Sequence, residues 1–273
     1  MEQRNSPLKP IHLTTEEALA AYLTPPRSAE TGREAELIAQ AEFAELRSGE
    51  HTIASYAWGE GEPVLLIHGW GGRATQYAAF IRELVAAGYR AVAFDGPAHG
   101  RSSGTLSSAP QIARAACEVG VREGVFAGII AHSIGATAAT IALTNGLEAD
   151  SAVFLGACCW TMPTVESFVE LQGLDASTER RLKREVWSRY GEQALAVDIL
   201  ARGMSCPLLI MHDEDDREIS YDHALAIRDA WPGAVLRDAP GQGHRRILRD
   251  RAVIATAIDF ISAYAMRQTG SRP

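Results

Sequence analysis

The sequence predicts an α/β protein with a mostly parallel central sheet and helices on both faces. Three observations lead there. Short apolar runs bounded by turn residues alternate with amphipathic stretches of helical period. A serine between small residues, Ala131-His132-Ser133-Ile134-Gly135, falls where one apolar run ends and an alanine-rich helix begins. An acidic loop and a histidine loop each follow a further apolar run, so the reactive residue types gather at strand carboxyl ends, where open parallel sheets place their sites.

Taken in order, residues 1–50 form a helical leader. Its start, Met1 to Pro7, is polar and lacks the apolar core of a secretory signal. Thr14 and Glu17 form a capping box, Pro25-Pro26 breaks the first helix, and Ala29 to Gln40 is helical again; packing against the sheet edge is expected. Ser48-Gly49-Glu50 reads as a hairpin turn into a strand from His51 to Trp58, and Gly59 to Pro63 leads into the central strand Val64 to Ile67. Further strands are expected at Ala91–Phe94, Phe126–Ala131, Ala152–Leu155, Pro207–Met211 and Ala234–Arg237. Helices should fill Thr75–Ala87, Ala109–Arg122, Ser133–Asn145, Tyr221–Ala230 and Ile247–Met266. The core thus comprises 51–155 and 206–273, and the intervening 156–205 is too long for a simple crossover.

Composition fits one domain: 273 residues, 47% hydrophobic, suffice for a single large core. A net charge of −8 speaks against binding to nucleic acid or to an anionic membrane surface. No run reaches the roughly 18–20 apolar residues of a membrane span. Cys117, Cys158, Cys159 and Cys206 lack C-x-x-C spacing and read as buried thiols of a cytoplasmic protein. No cofactor or metal is expected, because adjacent residues such as Asp213 to Asp216 with His212 cannot all turn toward one ion.

The chemistry starts from Ser133. A turn flanked by small residues lifts its hydroxyl clear of the sheet and aims the first amides of the next helix at an oxygen beside it. A serine hydroxyl is a poor nucleophile until an imidazole takes its proton and a carboxylate holds that imidazole. Downstream, Asp213, Asp215 and Asp216 compete for the acid, and Gly241-Gln242-Gly243-His244 hands one imidazole inward. Upstream, glycines in His68-Gly69-Trp70-Gly71-Gly72 free the backbone to donate, so the amides of Trp70 and Ile134 are the expected oxyanion donors.

These motifs, with Asp95-Gly96-Pro97-Ala98-His99-Gly100-Arg101-Ser102, resemble the α/β-hydrolase superfamily over about residues 51 to 265. The resemblance implies a hydrolase core with a nucleophile elbow, an oxyanion hole and a lid, the last being residues 156–205. Ala131 stands where the family has glycine, as does Ala98, and Asp213 replaces the glycine of a His-Gly-x-x-Asp pattern. The family's acid falls at Asp216, with Asp215 second. Serine at the elbow argues against the dehalogenase and epoxide-hydrolase branches, which use aspartate. The expected function is a serine hydrolase cleaving an ester of a small or medium acyl group through Ser133, His244 and Asp216. Alternatives are a thioesterase or cofactor-free perhydrolase on the same triad, or a non-catalytic ligand-binding member. Trp160 and Met162, close behind a strand end, are the candidates for substrate contact. His68 and His99 are expected to bond loop backbone, and His132 to shape the elbow.

Overall fold

Backbone hydrogen bonds between neighbouring strands assemble the chain into one sheet, with a helical cap outside it. The computed structural model describes residues 11–191 and 196–269. Capping boxes open the first two helices, Thr14 with Glu17 for α1 (Thr15–Leu23) and Thr31 with Glu34 for α2 (Gly32–Ala39). A hairpin follows, β1 (Glu42–Ser48) against β2 (His51–Trp58), turned by Gly49 at φ 61°. After β3 (Pro63–Ile67), a 3₁₀ turn at Ala74–Tyr77 leads into α3 (Ala78–Ala86). The α/β alternation then runs through β4 (Arg90–Phe94), α4 (Ala109–Glu123), β5 (Gly128–His132), α5 (Ile134–Thr144) and β6 (Ala152–Leu155). Three helices interrupt it, α6 (Met162–Gln172), α7 (Ala176–Tyr190) and α8 (Val197–Ala201). The chain closes with β7 (Leu208–His212), α9 (Asp222–Ala230), β8 (Val235–Asp238), α10 (Gly243–Arg246) and α11 (Arg251–Thr269).

The strand order is β1-β2-β4-β3-β5-β6-β7-β8. The pairs β1–β2 and β2–β4 are antiparallel and the rest are parallel. Parallel strands need both faces covered, which is why β3, β5 and β7 read as unbroken apolar runs. One face packs on α4, α5, α8 and α9 through residues such as Ile112, Ala139, Val197 and Ile227. The other packs on α2, α3 and α11 through Ile38, Phe80, Ile254 and Ile261.

A third apolar cluster lies outside the sheet. Ala18, Leu19 and Leu23 of α1 meet Val165 and Val169 of α6 and Leu182 and Val186 of α7. Arg181 donates to the Leu13 carbonyl at 2.9 Å, and the Tyr22 and Thr164 hydroxyls bond at 2.7 Å.

Two expectations about the leader need correction. Its last residues, Glu42–Ser48, are an edge strand rather than helix, and its first helix packs on α6 and α7 rather than on the sheet edge. An edge strand that alternates between solvent and core carries no apolar run to signal it. Helix α1 buries a stripe whose partner lies some 150 residues downstream. Other differences are at element ends: β5 begins at Gly128, with Phe126 held by an isolated bridge to Ala149. The polar start of the leader, Met1 to Pro7, lies within residues 1–10, which together with 192–195 and 270–273 are outside the described residues.

Trp231 ties α9 to the sheet. Its ring is 1% exposed, lies edge-on to Phe154 at 5.7 Å, and donates Nε1–H to the Cys206 carbonyl at 2.8 Å. Trp231→Ala leaves a cavity and an unpaired carbonyl, so a loss of about 3–5 kcal/mol is expected, read as a lower urea midpoint at unchanged slope.

Candidate active site

Ser133 joins β5 to α5 with φ 55° and ψ −125°. This is a region of backbone space that side chains other than glycine's rarely occupy. Three hydrogen bonds hold it there. Ser133 N–H donates to the Leu155 carbonyl at the end of β6 (3.0 Å), and the Ser133 carbonyl accepts from Ala136 (3.0 Å) and Cys158 (3.1 Å). The turn is also sterically tight. A Cβ at Gly135 would lie 2.4 Å from the Ile67 carbonyl oxygen, and one at Gly69 would lie 2.8 Å from His132 Nδ1. At position 131 the strand admits alanine, fully buried.

The acid and the imidazole meet behind β7 and β8. His244 Nδ1 lies 2.8 Å from Asp216 Oδ2, while Asp216 Oδ1 accepts from the amides of Glu218 (2.8 Å) and Ile219 (3.0 Å). Burial pushes the Asp216 carboxyl up, but hydrogen bonds from His212 and His244 and the Ile219 amide outweigh it and hold the group well below the ordinary carboxylate range. Its neighbours are otherwise engaged. Asp213 accepts from Asp215 N–H at 3.0 Å and from the Gly243 amide, so it fixes the loop that carries His244, and Asp215 is exposed. Gly156, at φ 52°, leaves room beside the pair, since a Cβ there would stand 3.2 Å from His244 Nδ1.

Four other histidines brace backbone. His132 Nε2–H donates to the His244 carbonyl at 2.8 Å, with the two rings 4.6 Å apart. His68 donates from Nδ1 to Gly69 O (2.7 Å) and accepts from Gly96 N–H (2.9 Å). His99 donates to Pro97 O (2.9 Å) and accepts from Gly71 N–H (3.1 Å). His223 accepts from Cys159 N–H at 2.9 Å. Asp95 joins the same loops, accepting from Ala74 and Arg101 amides at 2.8 Å each. Burial lowers all four imidazoles, His68 and His223 to about 4 and His99 and His132 to about 3.

Ser133, His244, Trp70 and Ile134 line one cavity of about 800 Å³. Ile134 opens α5, where the first N–H groups have no partner within the helix and the dipole is positive. The Trp70 amide has no hydrogen-bond partner among the described residues, although both flanking loops are bonded. Such an arrangement can activate a hydroxyl, hold a charged imidazole and receive a negative oxygen.

The opposite wall differs from the expectation. Neither Trp160 nor Met162 lines the cavity. The Trp160 indole donates to Asp198 at 3.1 Å and packs on His223, while Met162 joins the cluster between α1, α6 and α7. The wall comes instead from Thr161, Thr164 and Phe168 of the insertion and from Tyr22, Leu23 and Pro26 of the leader. Pro25-Pro26, which ends α1, was the only local signal of that leader wall.

The lowered imidazoles make acid stability testable. Between pH 6.5 and about 4 the unfolded chain takes up protons that the folded one refuses, so the unfolded state binds more and stability rises with pH across that window. The unfolding free energy from urea titrations should be level above pH 7 and fall on acidification, by up to about 1.4 kcal/mol per pH unit for each such group, and the midpoint with it. A midpoint unchanged from pH 7 to pH 5 would refute neutral, buried imidazoles.

The sequence profile of the alpha/beta hydrolase family matches residues 64–257. A search of curated proteins by sequence finds no match. Among solved structures, the esterase EaEST from Exiguobacterium antarcticum superposes with a TM-score of 0.67 at 16% identity, over 81% of this chain and all of that one. Est1E from Butyrivibrio proteoclasticus, solved with ferulic acid bound, gives 0.66 at 16% identity, over 81% of this chain and 98% of its own. The esterase RhEst1 from a Rhodococcus species gives 0.63 at 19% identity, over 82% and 99%. At these identities the likeness concerns the fold. With the profile match spanning most of the sheet, both loops of the Asp216–His244 pair and the Ser133 turn, the chain belongs to the alpha/beta hydrolase family.

Proposed function

We propose that the chain is a serine esterase acting on a small or medium acyl ester. The observation that carries this reading is the strained Ser133 turn on the wall of the same cavity as His244, whose other face is bonded to Asp216. With Nδ1–H donated to Asp216, the imidazole keeps its lone pair on Nε2, the nitrogen that takes the Ser133 proton as Oγ attacks the substrate carbonyl. Asp216 stays a carboxylate and stabilises the imidazolium that results. The amides of Trp70 and Ile134 receive the tetrahedral oxyanion. Protonated His244 then gives its proton to the leaving alkoxide, and water, activated by the same imidazole, releases the acid from Ser133. Solved structures described as esterases share the fold, which supports ester over other acyl substrates. Four free thiols fit a cytoplasmic setting, and among the described residues no helix is long and apolar enough to cross a membrane.

The test is hydrolysis of p-nitrophenyl esters of increasing acyl length. Ser133→Ala should lower kcat by about 10⁴-fold or more, and the chain-length optimum then sizes the cavity. Identical background turnover by both proteins across the series sinks the esterase reading and moves attention to thioesters. Asp216→Asn should lower kcat by about 10²- to 10⁴-fold, while Asp215→Asn stays near wild type. A dead Asp215→Asn beside an active Asp216→Asn would transfer the role of acid.

A further inference from the structure

His212 is the last residue of β7, is fully buried, and takes no part in the proton transfers set out above. Side chains alternate along a strand, so its ring lies on the same face of the sheet as Leu208 and Ile210, which pack toward α9. It stands edge-on to Tyr221 at 5.8 Å, and its carbonyl accepts from the Ala239 amide just after β8 at 2.8 Å. Nε2 has two neighbours, the Ile219 carbonyl oxygen at 3.0 Å and Asp216 Oδ2 at 3.4 Å. Both only accept, so this nitrogen carries a proton, which it donates to Ile219 beside the carboxylate.

The contact matters because of where the acid sits. Asp216 is four residues past the strand, in a loop whose Glu214 and Asp215 face solvent. Ile219 closes that loop: its N–H donates to Asp216 Oδ1 at 3.0 Å, while its carbonyl takes the His212 proton. One side chain rooted in the sheet thereby fixes the residue that holds the first carboxylate oxygen and faces the second directly. That second oxygen, Oδ2, is the one bonded to His244 at 2.8 Å. The Asp216 side chain is 1% exposed, so water is poorly placed to replace a lost donor. The titratable groups around His212 are Asp216, with His244 beyond it, Tyr221, and His223 of α9.

We propose that His212 is a positioning residue for the triad: from the end of β7 it holds the Asp216 carboxylate, through Ile219 and by direct contact, at the angle that orients His244. The inference rests on the esterase reading of the site. It assigns part of kcat to a side chain that does not line the cavity, and a carboxylate turned away from His244 leaves the imidazole free to take the wrong orientation.

Substitutions at 212, alone and combined with Asp216→Asn, test it on p-nitrophenyl butanoate. His212→Phe keeps a ring and removes the donor, His212→Asn removes the donor from the Nε2 position in a smaller side chain, and His212→Gln can return an N–H there. The first two should lower kcat by about 10-fold or more with KM within about 2-fold of wild type, and the Gln variant should recover most of the loss. Placed in Asp216→Asn, His212→Phe should change kcat by less than about 2-fold, because residues that act as a unit are non-additive. Equal losses in the two backgrounds would make His212 a general structural support and overturn the proposal. Wild-type kcat in His212→Phe, a Gln variant no better than Phe, or insolubility of both the Phe and Asn variants would overturn it too. Failure of the esterase reading looks different, since wild type and Ser133→Ala then hydrolyse the ester alike. The downfield proton NMR signal of His244 Nδ1–H, assigned by its absence from Asp216→Asn, carries the test in that case. It should persist in His212→Gln and be lost to solvent exchange in His212→Phe, and a signal unchanged in His212→Phe refutes the positioning role.

Discussion

The backbone at Ser133 is the constraint on which the site depends. A non-glycine residue at φ 55° costs on the order of 1–3 kcal/mol and persists only where its surroundings over-determine it. Here the surroundings are the ends of the two neighbouring strands, β6 and β3. Strand β6 takes the Ser133 amide, the segment after β6 returns an amide to the Ser133 carbonyl, and β3 presses its last carbonyls against Gly135. Adjacent parallel strands in the order β3-β5-β6 bring these groups together at the carboxyl ends of the central strands, so the topology and the serine's position are a single fact.

Charge at the site is sorted by burial and by backbone partners. The imidazoles of His68 and His99 are spent on the amides and carbonyls of two loops, locking Gly69, Gly71, Gly96 and Pro97 together. That lock sets the path of the chain through Trp70, so a backbone amide is positioned by side chains that never touch it. Asp216 is the opposite case, a buried carboxylate kept charged by donors on both of its oxygens.

Chemistry written into local sequence was legible, and long-range packing was not. The Ser133 turn needs small residues at fixed offsets, and the His244 loop needs glycines, so both announce themselves in a few letters. The acid did not. Three aspartates lie within four positions, and what separates them is that Gly243 and Asp215 amides occupy Asp213 while Asp215 faces solvent. Trp160 misled for a similar reason, because its indole finds Asp198, a partner 38 residues away that no local pattern reveals. The sheet was legible wherever strands are buried on both faces, and β1, half in solvent, was not.

The leader is the least legible part, and it governs the shape of the cavity. It is pinned to the insertion through Leu13 and Tyr22, and to the core beyond Pro25-Pro26, where Arg27 donates to the carbonyls of Ala98, Ser102 and Gly104. Between these anchors, residues 21–26 form cavity wall. The cap over Ser133 is therefore built from two segments far apart in sequence that share one apolar cluster. Movement of α6 and α7 away from the sheet must either carry α1 with them or break that cluster. In the first case the strain falls on the short stretch between Tyr22 and Arg27, where two prolines fix φ and limit how far it can yield. Cavity volume and leader position are thus one variable, and the width open to a substrate chain is set as much by residues 21–27 as by the insertion itself.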